Sequence, residues 1–105
     1  MKIVKIEHID DFGAREKVCW LEVTDVPKEC IKAAKKIDKK NYNENCFGIC
    51  VGKDEEGWYI SQDSLNCELF YIDNDGEKHW MEYTLDAKET DAAIKMCKLY
   101  TEEVK

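Results

Sequence analysis

Apolar and polar residues alternate along several short stretches of the chain, and this period of two predicts β-strands. The clearest case is KVCWLEVT at 17–24, where Cys19, Leu21 and Val23 fall on one face and Trp20 falls on the other. The same criteria predict six strands, at 2–7, 17–24, 46–51, 58–61, 65–72 and 78–85.

Two longer segments carry apolar residues at helical spacing. The first predicted helix starts around Asp25 and Pro27 and runs to about Lys40, because Asp accepts from free backbone amides and Pro tolerates a first turn. The second opens at Asp86, with Glu89 at capping-box spacing, and runs to about 103. Its predicted buried stripe consists of Ile94, Cys97, Leu99, Tyr100 and Val104.

Polar turns separate the predicted strands. Turns are expected at 10–13, 53–57 and 73–77, and the last two each close a β-hairpin. The resulting order is ββαββββα. It predicts an α+β fold in a single domain of residues 1–105, in which two helices pack on a mostly antiparallel sheet of about six strands.

Charge narrows the functions that this fold could serve. Asp and Glu outnumber Lys and Arg by 23 to 16, which gives a net charge of −7, and Arg15 is the sole arginine. This balance argues against direct binding of nucleic acid, anionic membranes or nucleotides, since phosphate contacts need local cations. No stretch has the pattern of an export signal or a membrane span, so the sequence predicts a cytoplasmic protein with reduced thiols.

Two of the six cysteines lie close together in NCFGICVG at 45–52, and their spacing suggests half of a metal site. In an extended strand, however, Cys46 and Cys50 would stand roughly 13 Å apart, whereas zinc ligands lie within about 4 Å of each other. If the chain instead turned at Gly48, Cys46 and Cys50 could share a zinc ion, with Cys67 as a third ligand. No metal is therefore favoured, and the cysteines are expected to act as small buried apolar residues.

The same alternation makes a second prediction for this stretch. Phe47, Ile49 and Val51 should point into a core, while Cys46, Gly48, Cys50 and Gly52 face the other way. The small residues on that second face would leave room for a helix to approach closely.

No nucleotide-binding, metalloprotease or nucleophile-elbow motif occurs in the sequence. The function expected from the residues is therefore a non-enzymatic module that binds a basic surface of another protein. The predicted partner-binding residues are the carboxylates of two hairpin turns, namely Asp54, Glu55, Glu56, Asp73, Asp75 and Glu77. The alternative is a small zinc-binding or thiol-dependent protein that uses Cys46, Cys50 and Cys67 together with a histidine.

In composition, the chain resembles the small, acidic, lysine-rich but arginine-poor proteins that phages and mobile elements encode, among them anti-CRISPR inhibitors. The resemblance is carried by composition and not by a motif. It implies an inhibitor that docks on a basic surface of a nucleic-acid-handling protein, such as a CRISPR nuclease.

Overall fold

The computed structural model describes residues 1–9, 17–62 and 65–103, and it confirms the α+β class and the predicted element order. The strands are β1 (Lys2–Ile9), β2 (Lys17–Thr24), β3 (Phe47–Asp54), β4 (Gly57–Ser61), β5 (Leu69–Ile72) and β6 (Lys78–Met81). The helices are α1 (Lys28–Ile37) and α2 (Ala87–Glu103). The turn predicted at 10–13 and Val104 of the predicted stripe lie outside the described residues.

Strand β3 organises the sheet, whose order is β1-β2-β3-β5-β6 with β4 also paired to β3. One side of β3 pairs with β2 along its length. On the other side, Phe47 and Gly48 pair with β5, whereas Cys50 to Asp54 pair with β4. All these pairings are antiparallel, so the turns after β3 and after β5 lie at opposite ends of the sheet.

Both helices pack on one face of the sheet, which we call the helix-covered face. Phe47, Ile49 and Val51 point into this core as predicted, together with Leu21 and Tyr71. The helices contribute small and apolar side chains to the same core, including Cys30, Ala34, Ala93, Ile94 and Cys97. The period of two therefore assigns the inward residues of β2 and β3 correctly.

The opposite face, which we call the aromatic face, carries a second small cluster. Phe70 and Cys50 are buried there, and Trp20, Ile72 and Trp80 pack against them. A Cβ on Gly48 would clash with Trp20 Nε1 and would lie 2.6 Å from Phe70 Cζ. The prediction that a helix approaches these small residues is therefore wrong, because aromatic rings from neighbouring strands fill the space.

The ends of α1 differ from the prediction. Asp25 has a φ of 56° and lies before the helix, which has Pro27 at its N-cap and no side-chain cap. The helix ends at Ile37, where the Asp38 N–H still donates to Ala34 O (3.0 Å) but the backbone leaves the helical region. Lys39 and Lys40 thus follow the helix and are not part of it.

Strands β5 and β6 are shorter than predicted, and Asn66, which was expected to lie in β5, has a φ of 67°. The capping box that starts α2 is confirmed: Asp86 Oδ1 accepts from the Glu89 N–H (2.8 Å), and Glu89 Oε1 accepts from the Asp86 N–H (3.1 Å).

The predicted buried stripe of α2 is only partly correct. Cys97 is buried as predicted, but Leu99 is exposed because it lies on the side of the helix away from Cys97. Among the described helices, none is long and apolar enough to cross a membrane.

Candidate functional site

The first group of predicted site residues lies in the turn between β3 and β4, residues 54–57, called the β3–β4 tip. Asp54 Oδ1 accepts from the backbone N–H groups of Glu56 (2.8 Å) and Gly57 (3.2 Å). This is an Asx-type turn, in which a short polar side chain replaces a backbone acceptor. Asp54 therefore shapes the turn, while Glu55 and Glu56 are exposed at its end.

The second group lies in the turn between β5 and β6, residues 73–77, called the β5–β6 tip. Asp73 Oδ1 accepts from the N–H groups of Asp75 and Glu77, both at 2.9 Å. The Gly76 N–H donates to Asp73 O (3.0 Å), and Gly76 has a φ of 84°, which a residue with a Cβ rarely adopts. Asp75 and Glu77 are exposed at the end of this turn.

The other carboxylate oxygen of Asp73 contacts a histidine. His79 Nε2 lies 2.7 Å from Asp73 Oδ2, and only 11% of the Asp73 side chain is exposed. The hydrogen bond from His79, followed by the one from the Glu77 amide, lowers the pKa of Asp73. Asp73 is thus held as a carboxylate, and the whole turn is built around it.

The β5–β6 tip is also tied to the segment that follows α1. Asn74 Nδ2 donates to Asn41 O (3.1 Å), and the Tyr71 hydroxyl donates to Asp38 Oδ2 (2.6 Å). The Asn43 N–H in turn donates to the Tyr71 hydroxyl (3.3 Å). These long-range bonds fix the orientation of this tip relative to the helix layer.

A lysine flanks each tip, and both lysines lie over aromatic rings. Lys53 Nζ is 5.4 Å from the centroid of Trp58, its cross-strand neighbour. Lys78 Nζ is 4.7 Å from the centroid of Phe70 and 5.5 Å from that of Trp80. Cation–π attraction therefore draws each ammonium onto the sheet. Sequence reasoning missed this role, although Lys78 and Trp80 have the i, i+2 spacing that places two side chains on one face of a strand.

The two tips are well separated. Seven residue steps along β3 correspond to about 23 Å, and the tips lie beyond its two ends. The six predicted carboxylates therefore form two groups of three at opposite ends of the sheet and not one continuous patch. Sequence alone could not show this, because the placement depends on β3 pairing with both β4 and β5.

The structure does not bring the three candidate zinc ligands together. Cys46 precedes β3 and packs against the helix-covered core, whereas Cys50 belongs to the cluster on the aromatic face. Cys67 lies outside the strands, beside Tyr83. Burial raises the pKa of both the Cys46 and the Cys50 thiols, which disfavours the reactive thiolate. The prediction that Cys46 and Cys50 share a face is wrong, because the strand starts one residue later than expected.

One group of possible metal ligands does occur in the described part of the chain. Ligand atoms of Asp73, Glu77 and His79 lie within 4.8 Å of one another. The hydrogen bonds of the β5–β6 tip already account for this proximity, since both oxygens of Asp73 are engaged in them. The group is therefore part of the turn.

Each tip thus carries exposed carboxylates on a turn that side-chain-to-backbone hydrogen bonds hold in place. The lysines that flank the tips lie over aromatic rings of the sheet. No protein-family model, curated protein or solved structure matches this chain.

Proposed function

We propose that this chain is a non-enzymatic protein-binding module that presents the carboxylates of a hairpin tip to a basic surface on another protein. One observation carries the proposal: in each tip an aspartate fixes the turn through two backbone N–H groups while other carboxylates remain exposed. The chain thus displays negative charge on a framework that is ordered before binding.

Preorganisation matters because ordering a loop on binding costs free energy, and a turn that is already fixed avoids that cost. Three carboxylates close together also attract a cationic partner and raise the association rate. The lowered pKa of Asp73 keeps its charge even in mildly acidic solution. Each tip can therefore act as a rigid anionic contact.

The partner that fits is a protein whose basic surface normally holds nucleic acid. A tip would occupy positions that phosphate groups otherwise take, which is a mode of inhibition that needs no chemistry. The composition of the chain, which resembles that of anti-CRISPR inhibitors, makes a CRISPR nuclease the first partner to test.

The test uses three triple variants, each of which removes three negative charges from the net −7. One carries D54N, E55Q and E56Q, and the second carries D73N, D75N and E77Q. Asparagine keeps the Oδ1 acceptor that each turn needs. The control carries E29Q, E82Q and D91N, which neutralise exposed carboxylates elsewhere.

Binding to a panel of purified CRISPR nucleases and inhibition of their DNA cleavage are measured at near-physiological salt. We expect the chain to inhibit at least one nuclease and one tip variant to weaken its binding by about tenfold or more, which is about 1.4 kcal/mol. The control variant should stay within about twofold. Absence of binding to every nuclease would contradict the choice of partner, and an equal loss in all three variants would contradict the role of the tips.

A further inference from the structure

An apolar groove of about 570 Å³ runs between β1 and α2 at one edge of the sheet. Six large apolar side chains are exposed in the described part of the chain, and three of them line this groove. These are Val4, Met96 and Leu99, with exposed fractions of 48%, 40% and 50%. Apolar side chains gathered at one place are typical of an interaction surface, whereas single ones are not.

The strand beside this groove is at the end of the sheet. Among the described strands β1 pairs with β2 alone, so its other side presents backbone N–H and C=O groups that can accept a further strand. A register shift between Ile3 and Lys5 interrupts the regular pairing near the start of the strand. From Lys5 onward the pairing with β2 is regular, which leaves a regularly paired segment of five residues, Lys5 to Ile9.

The charge pattern of this segment is self-complementary when two copies run antiparallel. Lys5 and Glu7 lie on the same side of β1, with Lys5 Nζ 2.7 Å from Glu7 Oε1. If two β1 strands pair antiparallel about a twofold axis at Ile6, Lys5 of each copy stands opposite Glu7 of the other. An axis at Lys5 or at Glu7 would instead place like charges opposite each other. The arrangement centred on Ile6 also keeps both helix layers on the same side of a continuous sheet.

We infer that this edge binds a second copy of the chain, with β1 paired to β1 about a twofold axis at Ile6. The pairing brings the two grooves together, so that Val4, Met96 and Leu99 are covered by the second copy. Charged residues usually keep edge strands apart when they carry a single sign. Here Lys5 and Glu7 carry opposite charges, so the charges of β1 are complementary to those of an antiparallel β1 strand from a second copy.

The inference is tested by sedimentation of the full chain with a reducing agent present, so that intermolecular disulfides cannot form. Salt of about 0.15 M, where the Debye length is about 8 Å, limits repulsion between the two net charges of −7. We expect a reversible dimer at concentrations between about 10 and 200 μM. A chain that stays monomeric throughout this range overturns the inference.

Two charge variants make the test specific. In a dimer of Lys5→Glu chains, or of Glu7→Lys chains, every opposed pair has like charges, so each variant alone should dimerise at least about tenfold more weakly. An equimolar mixture of the two variants should form a one-to-one heterodimer, because both opposed pairs are then attractive. Mixing cannot repair the Lys5–Glu7 contact within either chain, so a mixture that remains monomeric overturns the inference.

The apolar part of the interface is tested with Leu99→Lys, which places a charge in the groove on an already exposed position of α2. The matched control is Leu65→Lys, since Leu65 is 84% exposed and lies outside the groove. We expect Leu99→Lys to weaken the dimer by about tenfold or more and Leu65→Lys to leave it within about twofold. Equal weakening by both variants would show that the groove is not the interface.

Discussion

The two faces of the sheet bury apolar side chains in different ways. On the helix-covered face, α1 and α2 cover a core of aliphatic and aromatic side chains, in which the buried Tyr71 donates its hydroxyl to Asp38. On the aromatic face, side chains of the sheet cover one another: Trp20 stacks on Phe70 at 6.2 Å, and Phe70 meets Trp80 edge-on at 5.5 Å. One face is covered by helices, and the other is covered by aromatic side chains of the sheet itself.

This difference has an energetic consequence for polar atoms. Trp20 Nε1 is buried and finds no hydrogen-bond acceptor among the described residues, which costs about 1–3 kcal/mol. Tyr71 is also a buried residue, but its hydroxyl both donates to Asp38 and accepts from the Asn43 N–H. The aromatic face therefore depends on close packing to offset an unsatisfied donor, whereas the helix-covered face satisfies its polar group. Tight ring packing around Gly48 is therefore the main requirement of the aromatic face.

Replacing Gly48 by alanine should have the largest effect, because the new Cβ meets Trp20 and the buried ring of Phe70. We expect a loss of about 2–3 kcal/mol in the free energy of unfolding, measured by urea denaturation. Gly52→Ala is the matched control in the same strand. Its Cβ would lie 2.5 Å from Tyr59 Oη, at the far end of a side chain that is only partly buried, so a smaller loss of about 1 kcal/mol or less is expected. Equal losses would contradict the importance of ring packing at Gly48.

Replacing Tyr71 by phenylalanine tests the satisfied polar group of the helix-covered face. Deleting the hydroxyl removes the bond to Asp38 and should cost about 1–2 kcal/mol at neutral pH, because Asp38 is half-exposed and regains water. The helix-covered face should thus tolerate this change better than the aromatic face tolerates Gly48→Ala.

The pH dependence gives this variant its own signature. Burial, and then the hydrogen bond to Asp38, raise the pKa of Tyr71 to about 12, whereas an unfolded tyrosine has a pKa of about 10. The folded state therefore holds a proton that the unfolded state loses, and stability falls as the pH rises from about 10 to 12. Tyr71→Phe should lose less stability than the unmodified chain over this range in urea denaturation at each pH. If the free energy of unfolding fell equally steeply with pH in both proteins, the raised pKa of Tyr71 would be contradicted. Tyr83, whose pKa is also raised, titrates in both proteins.

The sequence was sufficient to predict which residues of β2 and β3 face the core, but not what covers each face of the sheet. The period of two placed Phe47, Ile49 and Val51 on one side and Gly48 on the other, and the structure agrees. The side chains that cover Gly48 come from β2 and β5, the strands that lie beside it. Both strands pair with β3 through residues more than 20 positions away along the chain. Phe70 reaches Gly48 because β5 pairs with the start of β3.

The same reasoning applies to the candidate site. The two turns could be predicted because Asp, Asn and Gly favour them, and both occur where expected. Their location at opposite ends of the sheet could not be predicted, since local sequence carries no information about how β4 and β5 divide one side of β3. The function of the tips was likewise suggested by charge alone, and it stays a proposal.

The smallest expected effect concerns the cation that closes the aromatic face beside the β5–β6 tip. Lys78→Met keeps the length of the side chain over Phe70 and Trp80 but removes the charge, so it should cost about 0.5 kcal/mol of stability. Lys36→Met on the exposed side of α1 is the control and should change stability by less, because Met and Lys have similar helix propensities. A larger loss at Lys78, measured by urea denaturation, would show that this ammonium is bound to the rings. Equal effects would mean that Lys78 remains free to neutralise the neighbouring carboxylates, which would weaken the case for the β5–β6 tip as an anionic contact.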